Sequence, residues 1–92
     1  MKETVEKMIR IVRGDTGGSR VYADMLLSML PNSDHKVNMS YWCYKADKDD
    51  FEAMLKLMSA YKSYDDSLIW EYEKLVLPYV DELKKYVGEE DE

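Results

Sequence analysis

The sequence predicts an all-α fold, a small bundle of about four helices with a Gly-rich first turn and a Pro-kinked C-terminal helix. Three observations carry this. Apolar residues recur at helical spacing in four separate segments, Gly, Pro or Asp punctuates the boundaries between them, and no stretch offers a strand with an evident partner. The 92 residues suit one domain with one core. Residues 1–88 are expected to form that domain and 89–92 an acidic tail.

Val5, Met8, Ile9 and Val12 give the first amphipathic helix, over residues 3–13. Gly14 stops it, and the segment Gly14-Asp15-Thr16-Gly17-Gly18-Ser19 suits a tight turn that caps the next helix. The second helix is expected to begin between Thr16 and Ser19, with Val21, Met25, Leu26, Met29 and Leu30 on its inner face. Leu30-Pro31-Asn32 ends it, because the residue before a proline resists helical geometry. A loop over Pro31 to Lys36 follows.

Residues 37–46 are ambiguous. Val37, Met39 and Tyr41 alternate as in a strand, whereas Ser40 to Tyr44 can make a helical turn; irregular structure or a short helix is favoured for want of a strand partner. Asp47 then reads as an N-cap, with Asp49 and Asp50 in the electropositive first turn of a helix reaching about Tyr61. Its expected core residues are Phe51, Met54, Leu55 and Met58. The last helix is capped near Asp65 or Asp66 and presents Ile69, Tyr72, Val76, Tyr79, Val80, Leu83 and Val87 on one stripe. The stripe stays in phase past Pro78, which favours one kinked helix over two separate ones. Gly88 is expected to end it.

Charge is unevenly placed. Residues 1–64 hold ten Lys or Arg against nine Asp or Glu, whereas residues 65–92 hold three against ten, and the net charge is −6. Acidity of this kind weighs against a nucleic-acid partner, although Lys7, Arg10, Arg13 and Arg20 form a small basic group. No apolar run approaches the roughly 18–20 residues of a membrane span, so no membrane partner is expected. A lone Cys43 cannot make an internal disulfide, and the N-terminus lacks a secretory pattern, so the cytoplasm is the expected compartment.

The segment Ile11-Val12-Arg13-Gly14-Asp15-Thr16-Gly17-Gly18-Ser19-Arg20, followed by Ala23-Asp24-Met25-Leu26-Leu27, resembles the opening of an uncharacterised domain family of phages, plasmids and bacterial genomes. That family runs Asp-Thr-Gly-x-Ser or Asp-Thr-Gly-x-Ala into an Ala-Asp/Asn-x-Leu-Leu helix. Tyr41-Trp42, Asp47 and Phe51 to Met58 continue the likeness more loosely, so that it covers residues 9–64. Ser28-Met29-Leu30 stands where the family tends to place tryptophans, and the acidic last helix has no counterpart. The resemblance implies a mobile-element setting and no particular activity.

Within the Gly-rich loop, Arg13, Asp15, Thr16, Gly17, Gly18, Ser19 and Arg20 are candidate anion-binding residues, since backbone N–H groups at a helix N-terminus favour phosphate or carboxylate. The segment is not a P-loop, because no Gly-Lys-Ser/Thr follows it. Helix capping is the simpler use of the same residues. His35 and Cys43 make poor catalytic partners, with Cys43 expected to be a buried neutral thiol among aromatic rings. Asp47, Asp49 and Asp50 lack the Gly and distal Glu of a calcium loop, and Glu71 and Glu73 fall on different faces of a helix. No catalytic residue, metal or cofactor is therefore expected.

Tyr41, Trp42, Tyr44 and Trp70, with the acids Glu71, Asp81 and Glu82, are the candidate partner interface, because Tyr and Trp favour interface centres. The leading expectation is a small mobile-element protein that binds a host protein, inhibiting a defence or regulatory component. A nucleic-acid-linked regulator with a helix-turn-helix-like pair and a small anionic-ligand binder are the alternatives. Seven Met and the aromatic side chains also make a homodimer an expectation. Imitation of DNA by the C-terminal acids would require one negative strip, which Lys74, Lys84 and Lys85 interrupt.

Overall fold

Val5, Met8, Ile9 and Val12 recur at spacings of three, one and three, and all four are buried on one side of α1 (Lys2–Arg13). The structure, a computed structural model, describes residues 1–14 and 18–87. Among these, α1 is followed by α2 (Ser19–Ser28), α3 (Met39–Lys45), α4 (Lys48–Ser63), α5 (Asp66–Val76), a 3-10 turn (Leu77–Tyr79) and α6 (Val80–Val87), with no strand. Asp15, Thr16 and Gly17 of the expected loop, Gly88 and the acidic tail lie outside the described residues.

Helix α2 is buried nearly all round, through Val21, Tyr22, Ala23, Met25, Leu26 and Leu27, because it packs against α1, α3 and α6 at once. Helix α5 packs on α1 and α4. Tyr72 lies in the middle of this core, and its hydroxyl donates to the Leu26 carbonyl, which satisfies a phenol that burial would otherwise strand. Burial also pushes the Tyr72 pKa well above its ordinary value.

Of the two readings favoured for residues 37–46, the short helix holds: residues 39–45 are helical, with the Asn38 side chain accepting from the Tyr41 N–H as an N-cap. Other expectations need correction. In α4, Leu55 is exposed and Leu57 takes the buried place expected of it. Helix α2 ends at Ser28, two residues before the expected stop. Pro78 sits inside the 3-10 turn between α5 and α6, and the flanking residues Val76, Leu77 and Val80 keep right-handed helical dihedrals. The apolar stripe stays in phase across that turn, so Ile69, Tyr72, Val76, Leu83 and Val87 are all buried. No described helix is long and apolar enough to cross a membrane.

The packing of α1, α2 and α4 encloses one carboxylate. Asp50 is fully buried, accepting from the Tyr22 hydroxyl at 2.6 Å and facing the Lys7 ammonium at 3.0 Å. Tyr22 also receives the Asp47 N–H at the start of α4, and its ring meets Trp42 edge-on at 5.0 Å. Burial, then the bond to Asp50, raises the Tyr22 pKa, and the same carboxylate raises that of Lys7. This network locks the rotation of α4 about its axis.

Candidate functional site

Along α5 and α6, Asp66, Trp70, Glu73, Leu77, Val80 and Lys84 follow one another at intervals of three or four, which places them on one helical face. That face is the floor of a groove made of two adjoining cavities. The first, about 360 Å³, is walled by Leu27, Leu30, Pro31, Ser33, Asp34 and His35. The second, about 450 Å³, is walled by Pro31, Asn32, Tyr61, Tyr64 and Ile69. Pro31 and Glu73 line both.

The groove carries exposed apolar surface on its floor and at its Tyr64 edge. Tyr64 is 85% exposed, Trp70 64% and Leu77 52%. Large rings with so little cover are uncommon on a small protein unless something else covers them.

Local structure holds the walls in place. Leu30 to Ser33 close a β-turn, with the Ser33 N–H donating to the Leu30 carbonyl at 3.2 Å, Pro31 at the second position and Asn32 at the third with φ 60°. The Tyr61 hydroxyl donates to the Met29 carbonyl at 2.7 Å and ties this turn to α4. His35 Nε2 lies 2.8 Å from Asp24 Oδ1, which returns the far end of the loop to α2. Tyr64 ends α4 in the left-handed region, φ 60° and ψ 39°, and the Asp65 N–H reaches back to the Ala60 carbonyl at 2.8 Å. Asn32 and Tyr64 are the two non-glycine residues with positive φ among those described, and both flank the second cavity. Asn32 is an ordinary third residue of such a turn, whereas Tyr64 is a bulky side chain in a conformation that favours glycine, and strain of that kind clusters at functional sites.

The expected interface residues are not brought together. Trp42 is buried against Tyr22, so it belongs to the core and not to a surface. Tyr41 and Tyr44 are exposed on α3, where Lys45 approaches the Tyr41 ring, and neither lines the groove. Cys43 is exposed beside them, contrary to the expected burial. Trp70 does line the groove, whereas Glu71 and Asp81 are exposed without lining it. Glu82 accepts two bonds from Arg13, at 2.7 and 3.0 Å.

That pair also bears on the expected anion site. The Arg13 guanidinium is held by Glu82 and lies 4.8 Å from the centre of the Tyr79 ring, so an anion there must displace a bidentate carboxylate. The bond to Arg13 lowers the Glu82 pKa, and the bond to Glu82 raises that of Arg13. Ser19 is buried and its hydroxyl donates to the Ile11 carbonyl, back toward α1. Gly18 is the N-cap of α2, and Arg20 is exposed. Among the described residues no group of three or more His, Cys, Asp or Glu is placed to hold a metal.

Tyr64, with Trp70, belongs to the wider set of aromatic residues that the sequence offers for an interface, whereas Leu77, Glu73 and the Leu30–His35 wall have no place in the sequence-based site. A signal for Leu77 was present, since it is an apolar residue, like Trp70, on what the helical period marks as the outward side of the last helix. No protein-family model, curated relative or solved structure matches this chain.

Proposed function

We propose that this chain is a protein-binding module whose docking surface is the groove along α5 and α6. The observation that carries the reading is the exposed series Tyr64, Trp70 and Leu77 around two adjoining cavities, walled by a turn and a helix end that are both fixed by hydrogen bonds. Exposed rings beside hollows that combine apolar and polar groups are what interface anchors require. Residues 9–64 resemble a domain family of mobile elements, so the proposed partner is a cytoplasmic host protein of a defence or regulatory system, and the proposed outcome of binding is inhibition. The chain carries no catalytic role in this reading.

The test is affinity capture from bacterial lysate with three baits: the native chain, Trp70→Ala/Leu77→Asp, and Tyr44→Ser as an exposed aromatic elsewhere. A host protein held by the native chain and by Tyr44→Ser, and lost from the groove variant, supports the reading. Equal capture by all three baits places binding elsewhere.

A further inference from the structure

Glu73 holds a distinctive position in this groove. It is half-buried, it lines both cavities, and its carboxylate forms no ion pair with any described residue. Trp70 lies one turn before it on the same face and Leu77 one turn after. A half-buried carboxylate between two hollows of mixed polar and apolar lining is partly dehydrated, and its charge is screened less than that of a fully exposed acid. Burial, and after it the nearby Glu73 charge, raises the pKa of Tyr61.

The ends of the groove differ in charge. Asp66, next to Asp65, lies at one end, whereas at the other Lys84 shares the first cavity with Asp34 and with His35, which is paired to Asp24. The floor from Asp66 to Lys84 spans about 27 Å if the rise is about 1.5 Å per residue. A partner helix of about 18 residues matches that length. Such a helix carries partial positive charge at its N-terminus, which complements the acidic end at Asp65 and Asp66, and partial negative charge at its C-terminus, which is better placed at the end that holds Lys84.

Resting on the docking reading above, we propose that the occupant is an amphipathic helix of the partner protein, and that Glu73 selects a Lys or Arg on it. The partner's apolar side chains one turn before and one turn after that cation fill the two cavities. Its cationic head bonds the Glu73 carboxylate while its stem, or an Arg plane, lies against the exposed face of Trp70. The helix runs with its N-terminus toward Asp66. This is helix-in-groove recognition with a charge at its centre.

The experiment selects phage-displayed amphipathic peptides of about 18 residues against the immobilised chain. The enriched peptides are then titrated by fluorescence anisotropy with the native chain, Glu73→Gln, Trp70→Ala and Tyr44→Ser. The expected result is a Lys or Arg flanked by apolar residues at spacings of three or four, with affinity falling at least about tenfold in Glu73→Gln and unchanged in Tyr44→Ser. Enriched peptides without a cation, or binding within about twofold of native in Glu73→Gln and lost in Trp70→Ala, overturn the charge inference and leave the groove reading standing. Peptides that bind without regard to Trp70 overturn both. A circular-dichroism spectrum of each variant excludes unfolding as the cause of a loss.

Discussion

Tyr64 is a residue whose replacement should strengthen the fold and weaken the function. Its backbone sits at φ 60°, ψ 39°, where a side chain's Cβ crowds the following carbonyl, at a cost of about 1–2 kcal/mol that glycine avoids. The ring is 85% exposed, so little packing is lost with it. Glycine returns about 0.5–1 kcal/mol of this through the greater freedom of its unfolded chain. Tyr64→Gly should therefore stabilise the protein by roughly 0.5–1 kcal/mol, which for a chain of this size raises Tm by about 2–8 °C. Differential scanning calorimetry reads this directly. Tyr64→Ala keeps the strain and removes the same ring, so it should melt at or below the native temperature. Both variants should bind a partner captured by the native chain more weakly. A lower Tm for Tyr64→Gly than for the native chain would refute the argument, because it would mean that the ring packs and the backbone is unstrained.

Trp42→Ala should cost about 3–5 kcal/mol in urea unfolding, since the ring is buried on Tyr22, whereas Tyr44→Ser, two positions on and 82% exposed, should fall within about 0.5 kcal/mol of native; similar losses would contradict the placement of α3. Asp50→Ala removes the acceptor of the Tyr22 hydroxyl and the partner of Lys7, and should cost about 2–4 kcal/mol in the same assay. Because Glu82 titrates below its usual value when folded, its pair with Arg13 contributes stability above the ordinary glutamate range and loses it as pH falls through the lowered value. The melting difference between the native chain and Glu82→Gln should accordingly be present near neutral pH and vanish well below pH 4.5; a difference that persists in strong acid would reject the pair.

Where one helical face alone is apolar, the sequence is readable. Val5, Met8, Ile9 and Val12 define the buried side of α1 without ambiguity, and the stripe from Ile69 to Val87 survives the interruption at Pro78 because its phase is kept. Helix α4 is different: Phe51, Ala53, Met54, Leu55, Leu57, Met58, Ala60 and Tyr61 surround it, so periodicity cannot choose a face. The choice is made by Asp50, whose side chain must reach Tyr22 and Lys7, and that turns Leu57 inward and Leu55 outward. Asp50 itself read as a first-turn acid, which it also is. Nothing local distinguishes it from exposed Asp49, because its burial depends on a tyrosine 28 positions earlier.

The groove was less legible still. Its floor lies on α5 and α6 and its wall on the turn after α2, so the hollow exists only once distant segments have packed. Leu30-Pro31-Asn32 announces a helix stop, and it does stop α2 nearby, but its second use as a wall has no sequence signature. Trp42 and Trp70 look alike as candidates in the sequence. Their fates differ because the short α3 leans its tryptophan on Tyr22, whereas α5 already fills the core with Ile69, Tyr72 and Val76, leaving Trp70 outside.

The most direct measurement of the central claim is affinity capture with the native chain, Trp70→Ala/Leu77→Asp and Tyr44→Ser side by side, read by quantitative mass spectrometry. The account predicts a host protein retained by the native chain and by Tyr44→Ser, and depleted at least about tenfold on the groove variant, whose Tm stays near native. A partner retained equally by the groove variant, or lost from Tyr44→Ser instead, would contradict the assignment of the α5–α6 groove as the docking surface.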